Sequence, residues 1–194
     1  MEFWPEPYKA PGHRAHLVER IEGFGDIVMN AVIAPLAEAH FDELRAVLDV
    51  VARERRYLAA LEASPPERSF AFYRSLIADG QGHVALVDGR VVGWCDIQST
   101  FGQARAHVGI LGIGLLPDAR GHGIGTRLLQ SAIATAWSRG LTRIELTVRD
   151  DNTTARALYE RLGFEHEGIQ RRSMRVDGHY YDCFAMALLR RDDA

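Results

Sequence analysis

One glycine-rich turn constrains the fold of this chain more than any other feature. Within the segment GLLPDARGHGIGTRLLQ, residues 114–130, the alternate glycines Gly121, Gly123 and Gly125 lie between an apolar strand-like run and a helical pattern. The first turn of a helix presents about four unpaired N–H groups and a partial positive charge. Glycine removes the Cβ atoms that would hold a ligand away from those groups. The turn therefore predicts a site for an anion such as a pyrophosphate, bound mainly by backbone.

Two nucleotide-binding motifs are similar to this turn, and neither fits it. A Rossmann site requires G-x-G-x-x-G, whereas the third glycine here comes one position early. Glu145, at the distance expected for the ribose-binding acid, falls inside a strand pattern rather than at its end. A P-loop requires Gly-Lys-Ser/Thr, which is missing here. A turn that merely connects two elements is the remaining alternative, and the entropy cost of three glycines disfavours it.

Hydrophobic periodicity predicts an α/β fold. The predicted helices are residues 38–57, 66–78, 124–139 and 152–162. The predicted strands are residues 27–33, 105–116 and 141–148, with two hairpins that turn at Asp88-Gly89 and Asp177-Gly178. This order predicts a mixed sheet with helices on both faces. We assign residues 26–191 to a single domain, preceded by a loosely ordered N-terminal arm over residues 1–25.

Composition restricts the class of partner. The 194 residues carry a formal net charge of -3, which disfavours a nucleic acid or a membrane surface recognised by bulk charge, since such proteins usually carry a basic face. Cys95 and Cys183 lie in apolar runs without metal-ligand spacing, so we expect buried thiols, a reducing compartment and no metal site. The sequence shows neither a signal-peptide pattern nor about 18 consecutive apolar residues, and we expect a cytoplasmic protein that binds a small ligand.

Two segments resemble the signatures of a known enzyme family. Residues 115–125, LLPDARGHGIG, closely resemble the acetyl-CoA signature Arg/Gln-x-x-Gly-x-Gly/Ala of the GNAT (Gcn5-related) N-acetyltransferases. Residues 146–168, LTVRDDNTTARALYERLGFEHEG, resemble the second family signature, strand–Asn–helix–Tyr–Gly-Phe. The two occur in the family's order. The resemblance implies a mixed, mostly antiparallel central sheet that is splayed at the cofactor site and has helices on both faces.

The resemblance also implies the residues that would bind acetyl-CoA, the cosubstrate. Backbone of the glycine turn would hold the pyrophosphate, the strand end before it would pair with the pantetheine arm, and Asn152 would contribute from the next helix. The residues concerned are Leu115, Leu116, Arg120, Gly121, His122, Gly123, Ile124, Gly125, Thr126 and Asn152. Tyr159 would protonate the leaving thiolate as the general acid. Asn152 and Tyr159 are seven residues apart, which places them within about 20° of each other on one helix face.

The general base is the point at which the sequence departs from part of the family. Some members carry a glutamate on the strand before the glycine turn, but residues 108–116 contain no carboxylate here. His107, at the start of that strand, and Glu54, in the cluster Arg53-Glu54-Arg55-Arg56-Tyr57, are candidate bases or substrate contacts. We expect a base that acts through a water molecule, because an alkyl ammonium must lose a proton before it can attack.

The acceptor remains open at this level. Residues 168–189 resemble bacterial members that act on small amines, such as amino-acid and phosphinothricin N-acetyltransferases, and ribosomal-protein N-terminal acetyltransferases end similarly. We therefore expect a primary amine of a small molecule, such as an amino acid, as the substrate. The alternatives are a protein or peptide acetyltransferase and a non-catalytic acyl-CoA sensor. Since members of the family are often dimers, a homodimer is also considered.

Overall fold

The computed structural model describes residues 30–191, which form a seven-stranded sheet in the order β1-β2-β3-β4-β5-β7-β6. The strands are β1 (Val32–Pro35), β2 (Gly82–Val87), β3 (Arg90–Ser99), β4 (Val108–Leu115), β5 (Arg143–Arg149), β6 (Glu165–Val176) and β7 (His179–Leu189). Neighbouring strands run antiparallel, except for the central pair β4 and β5, which is parallel.

The central pair opens along its length. Only three residues of each strand are paired, Val108–Ile110 of β4 with Arg143–Glu145 of β5. Beyond them β4 continues to Leu115 and β5 to Arg149, each without the other as a partner. The gap that results is called the opening below. The strand pairing and this opening together confirm the predicted mixed, mostly antiparallel sheet that is splayed beside the glycine turn.

Helices cover both faces of the sheet, as predicted. They are α1 (Phe41–Arg53), α2 (Pro66–Ala78), α3 (Ile124–Ser138) and α4 (Thr153–Arg161). Side chains of β3 alternate between the two faces: Cys95 packs in the core beneath α3 and α4, while Trp94 packs in a second core beneath α1 and α2. The sheet therefore has an α3/α4 face and an α1/α2 face, and the opening connects the two.

Local signals predicted the turns well. Asp88 and Gly89 have φ angles of 49° and 76°, and Asp177 and Gly178 have φ angles of 48° and 83°. Two consecutive positive φ angles match the right-handed twist of the strands that they join. Both hairpins are therefore confirmed. Cys95 and Cys183 are buried free thiols, as expected.

Element ends differ from the predictions. α1 ends at Arg53 instead of residue 57, and the left-handed Arg55 (φ 54°) cannot extend it. β4 begins at Val108 rather than residue 105, because residues 103–105 form a short 3-10 turn. The first strand starts at Val32, and residues 27–29 of its predicted range, like the arm at residues 1–25, lie outside the described residues. Within residues 30–191, no helix is both long and apolar enough to cross a membrane.

Candidate active site

The edge of β4 that borders the opening exposes backbone groups. The Leu116 N–H donates to the Val92 carbonyl oxygen (2.9 Å), which fixes the alternation of the β3–β4 ladder. Residues of an antiparallel strand direct their backbone groups alternately to one side and the other. Ile113 and Leu115, opposite Cys95 and Gly93, therefore direct theirs into the opening. The structure thus provides an unpaired strand edge next to the glycine turn.

Leu116 does not share this arrangement. Its N–H is bound to Val92, and its carbonyl oxygen accepts the Ala119 N–H (3.0 Å). Both backbone groups are thus engaged within the protein, because the chain turns into a short 3-10 segment, Pro117–Ala119, directly after β4. A backbone contact of Leu116 with the pantetheine would have to replace one of these hydrogen bonds and stays a prediction, whereas Leu115 faces the opening.

The glycine turn presents a continuous row of backbone amides. Gly121 and Gly123 have φ angles of 80° and 74°, and Gly123 is the N-cap of α3. The first backbone hydrogen bond into this helix runs from the Arg127 N–H to the Gly123 carbonyl oxygen (3.2 Å). Within the described part of the chain, the six N–H groups of residues 121–126 have no protein acceptor. These amides and the helix dipole together form an anion-binding geometry.

Glycine is needed at the three positions of the turn for different physical reasons. Gly121 and Gly123 adopt the left-handed conformation, and a Cβ at either would meet nothing within 4 Å. Gly125 has no such φ angle, but its Cβ would lie 3.2 Å from Leu115 Cδ1 and 3.4 Å from Leu158 Cδ2. The first two glycines shape the anion site, and the third lets α3 approach β4 and α4 closely.

The Arg120 side chain has a structural task. Its Nη1 donates to Glu54 Oε2 (2.9 Å), and its Nη2 donates to Glu54 Oε1. Its Nε and Nη2 also donate to the Leu115 carbonyl oxygen, at 3.1 and 2.8 Å. The guanidinium lies over the Tyr57 ring, 4.8 Å from its centroid. Hydrogen bonds to Glu54 raise the pKa of Arg120. Glu54 is thus an ion-pair partner of the glycine turn and not a free base.

Tyr159, on α4, is largely buried. Only 7% of the residue is exposed, and its ring packs against Phe164 at a centroid distance of 5.7 Å. Burial, with a smaller contribution from Cys95, raises the pKa of Tyr159 above its ordinary value. On the same helix, Asn152 Oδ1 accepts the Ala155 N–H (3.3 Å), so Asn152 serves as the N-cap. Because its pKa is raised, the hydroxyl of Tyr159 is protonated at neutral pH, and its role as the general acid stays a prediction.

His107 does not reach the opening. It is exposed and precedes β4, and its carbonyl oxygen accepts the N–H groups of Thr142 (3.0 Å) and Arg143 (3.2 Å). It therefore lies at the paired end of the two central strands. Eight residues separate it from Leu115, about 25 Å along an extended strand. This position does not favour His107 as a base, and its role stays a prediction.

Asp96 is a residue that the sequence reasoning missed. It lies on β3 opposite Gly112 and is only 4% exposed. A Cβ at Gly112 would lie 3.2 Å from Asp96 Oδ1, so the carboxylate leans over the bare backbone of β4. Burial raises the pKa of Asp96 to about 6, partly offset by hydrogen bonds that include one from Gln98 Nε2 to Oδ2 (2.7 Å). The available signal was an acidic residue within an otherwise apolar strand next to a glycine-rich strand.

The α1/α2 side of the opening is bridged by the chain after α1. Arg55 Nη2 donates to Asp177 Oδ1 (2.7 Å) at the β6–β7 turn. The Arg55 carbonyl oxygen accepts Arg149 Nη1 (3.2 Å) from the end of β5. Arg149 is buried, donates from Nε to Asp151 Oδ1 (2.8 Å) and stacks on Tyr181 (3.7 Å). Residues 54–57 therefore contact the glycine turn, β5 and the last hairpin. Residues 30–191 hold no cluster of side chains suited to a metal ion.

A sheet of this topology, open between two parallel strands beside a cradle of backbone amides, defines a protein of the N-acetyltransferase class. Residues 44–164 match the model of the acetyltransferase (GNAT) family, and the chain belongs to this family. Membership confirms the predicted fold class and the predicted enzyme class, an N-acetyltransferase with acetyl-CoA as the acetyl donor.

Known relatives differ in their acceptors. The L-amino acid N-acetyltransferase AaaT of Escherichia coli is 30% identical over 164 residues, which cover 82% of this chain and 98% of that protein. The N-alpha-acetyltransferase RimI of Mycobacterium tuberculosis is 37% identical over 109 residues, 56% of this chain and 67% of that protein. A GNAT acetyltransferase structure from Streptococcus pneumoniae has a TM-score of 0.77 and 27% identity, covering 82% of this chain and 99% of that one.

Proposed function

We propose that the protein transfers the acetyl group of acetyl-CoA to the amino group of a free amino acid or a similarly small amine. The single observation that carries the proposal is the bridge over the α1/α2 side of the opening, where the chain after α1 contacts the last hairpin. A peptide substrate needs an open groove across this face. The match to AaaT along nearly its whole length also supports a small amine.

The cofactor side of the proposal rests on backbone groups. The amides of residues 121–126, namely Gly121, His122, Gly123, Ile124, Gly125 and Thr126, have the geometry to bind the pyrophosphate of CoA. Backbone groups of Ile113 and Leu115 face the opening, where an extended pantetheine amide can add to the strand edge. Because Arg120 occupies the Leu115 carbonyl oxygen, we assign the Leu115 contact to its N–H group.

The charge around the bridge supports an acceptor that carries a carboxylate. Arg56, Arg172 and Arg175 are exposed, and none of them has an acidic side-chain partner within salt-bridge distance in the described part of the chain. Arg172 and Arg175 both lie over the Tyr180 ring, on the hairpin whose turn meets Arg55. A polycationic acceptor would meet these positive charges unfavourably, whereas an amino acid presents a carboxylate to them.

Tyr159 fits the role of the general acid. Acetyl-CoA supplies a thioester, whose carbonyl carbon an uncharged amine can attack. As the C–S bond breaks, negative charge develops on sulfur, and a phenol is able to stabilise it by hydrogen bonding and to protonate it. The buried hydroxyl of Tyr159 keeps its proton across the neutral pH range because burial raises its pKa. We assign it as the donor to the leaving sulfur.

Release of the CoA thiol from acetyl-CoA tests the proposal on a panel of amines. We expect release with one or more free L-amino acids and a rise in KM of at least tenfold when the same amino acid is offered as its carboxamide. Arg172→Gln and Arg175→Gln should raise KM for the amino acid and leave KM for the carboxamide unchanged. Release with peptides alone would establish a peptide acetyltransferase instead, and tight CoA binding without release on any amine would indicate an acyl-CoA sensor.

A further inference from the structure

We propose that the Asp96 carboxylate is the proton acceptor for the substrate ammonium, directly or across a single water molecule. This inference rests on the proposed acetyltransferase reaction and names a residue that the two family signatures do not contain. Asp96 belongs to β3, whereas the glutamate of some family members lies on the strand before the glycine turn, which is β4 here.

The position of Asp96 follows from the alternation of side chains on two neighbouring strands. Trp94 and Asp96 point to the α1/α2 face from β3, and the residues opposite them on β4 are Gly114 and Gly112. A Cβ at Gly114 would collide with the Trp94 ring, and one at Gly112 would lie 3.2 Å from Asp96 Oδ1. Both side chains of β3 therefore occupy space above β4 that its own residues leave free.

From this position, Asp96 is one strand away from the opening. β4 is the strand that borders the opening, and neighbouring strands lie about 4.8 Å apart. An amine in the opening beside Gly112 is thus within reach of a carboxylate above Gly112, either in contact or across one water. Neither of the other candidates offers this: His107 lies at the paired end of β4, and Glu54 is bound to Arg120.

The surroundings of Asp96 leave room for one water molecule on the side of β2. A cavity of about 20 Å³ is lined by Asp96 and Tyr73, by Gly82 and His83 of β2, and by apolar side chains of α1 and α2, and a single water needs at least about 10–15 Å³. Within the described residues, the buried Tyr73 hydroxyl has no hydrogen-bond partner. It is thus a polar group that can hold a water next to the carboxylate.

Few other ionisable groups near Asp96 could accept the proton of the substrate ammonium. The titratable groups near it are Tyr73 from α2, His83 from β2 and Cys95 from β3 itself. Of these three, only Tyr73 shares the α1/α2 face with Asp96, because the His83 ring contacts Thr135 of α3 and the Cys95 side chain lies in the α3/α4 core. Arg45 of α1, whose charge acts on Tyr73, donates from Nε to the Ser64 carbonyl oxygen (2.9 Å). Burial lowers the pKa of His83 and raises those of Tyr73 and Cys95, so all three are uncharged at neutral pH.

The reaction balances with Asp96 in this role. The ammonium gives one proton to Asp96, and the nitrogen lone pair then forms the C–N bond at the thioester carbon. The C–S bond breaks, and the thiolate receives a proton from Tyr159, which takes the second amine proton in return. Asp96 releases its proton to solvent. A buried carboxyl with a pKa of about 6 is a better match to an amine than an ordinary aspartate, because the pKa gap is smaller.

The experiment compares Asp96→Asn with the unchanged protein over a range of pH. We expect kcat to fall at least 100-fold at pH 7 and the acidic limb of kcat/KM near pH 6 to disappear. The remaining activity should rise about tenfold per pH unit toward the pKa of the amine, since only the neutral amine can then react. With hydroxylamine, a nucleophile that is largely neutral at pH 7, the variant should lose less than threefold.

A second variant keeps the test independent of folding. Gln98→Leu removes a hydrogen bond that lowers the pKa of Asp96, so the acidic limb should move to higher pH. Glu145→Gln is the control, because this carboxylate is paired with Arg105 and Arg143 at the far end of the same sheet and should leave the profile unchanged.

Three results would overturn the inference. An unaltered limb in Asp96→Asn, or an unmoved limb in Gln98→Leu, excludes Asp96 as the proton acceptor while the wild-type activity stands. Equal losses with charged and neutral amines would show that Asp96 only supports the structure. If the wild-type protein acetylates no amine, the proposed function itself fails. The three results above require an active wild-type protein, so they test the assignment of Asp96 alone.

Discussion

Arg120 and Glu54, 66 residues apart in the sequence, form a bidentate ion pair that joins the glycine turn to the end of α1. The same guanidinium binds the carbonyl oxygen of Leu115 at the edge of the opening. One side chain thus connects the strand edge, the anion-binding turn and the segment that bridges the α1/α2 face. A change at any of these points is expected to affect the other two.

This connection predicts the phenotype of Glu54→Gln. Loss of the ion pair should cost about 1–3 kcal/mol of stability, because a charge-assisted hydrogen bond is lost from a half-buried guanidinium. We expect KM for acetyl-CoA to rise severalfold, since Leu115 and the turn are held less firmly. The acidic limb of the pH–rate profile should remain. Asp49→Asn, at another carboxylate of α1, is the control. Loss of the acidic limb in Glu54→Gln but not in Asp49→Asn would instead identify Glu54 as the base.

Tyr159→Phe tests the general acid. The phenyl ring retains the packing against Phe164, so the melting temperature should change little. We expect kcat to fall at least tenfold with nearly unchanged binding of acetyl-CoA, because only the donor to the sulfur is removed. Calorimetric titration with CoA and a steady-state thiol assay measure the two quantities. Turnover equal to that of the wild type would rule out this role.

The pH dependence of the unchanged enzyme gives a further prediction for Tyr159. A phenol holds its proton below its pKa, and burial raises the pKa of Tyr159 above the ordinary value of about 10. The acid form is therefore present throughout the neutral and mildly alkaline range. We expect no loss of kcat attributable to this residue between pH 7 and 10, and a decline centred near pH 8 would contradict the assignment.

Alanine variants of two glycines at the ends of α3 distinguish an effect on stability from an effect on CoA binding. Gly123 precedes the helix with φ 74°, Gly140 follows it with φ 87°, and a Cβ at either meets nothing within 4 Å. Alanine at either position should therefore cost a similar 1–2 kcal/mol for the left-handed conformation. Only Gly123→Ala should also weaken CoA binding, by tenfold or more. Equal CoA affinities of the two variants would show that the turn does not bind the anion.

Asp96→Asn should make the protein more stable at neutral pH. The folded-state pKa of Asp96 is about 6, above the ordinary 3.8, so folding disfavours the charged form. The contribution of the neutral Asp96 carboxyl to the free energy of unfolding is complete below about pH 4 and is lost as the pH rises through 6. At pH 7–8 the neutral Asn avoids this cost, which amounts to at most about 3 kcal/mol. Urea unfolding at pH 4 and pH 8 should show a gain at pH 8 only.

Local sequence signals predicted the glycine turn, both hairpins and α2 with its bounds at Pro66 and Ala78. Each of these depends on residues adjacent in the chain, such as a proline at the start of a helix or an Asp-Gly pair in a turn. The family signatures added the opening between β4 and β5, which no local pattern contains.

The proposed base depends on contacts between residues that are distant in the sequence. Placement of Asp96 over Gly112 depends on the register between β3 and β4, and the pairing of Glu54 with Arg120 depends on where α1 ends. His107 lies at the paired end of β4, and periodicity does not say which end of a strand lies beside the opening. The helix-face geometry of Tyr159 likewise does not show that Phe164 and neighbouring apolar side chains cover its ring in the core.

The short ladder between β4 and β5 has a mechanical consequence. The first four strands and the last three are joined within the sheet by three residue pairs, Val108–Ile110 with Arg143–Glu145. Leu115 lies about 16 Å along β4 from Ile110. A rotation of about 5° at the three pairs would displace Leu115 by about 1.4 Å, half the length of a hydrogen bond. The width of the opening at Leu115 therefore depends on the geometry of three residue pairs at the other end of β4.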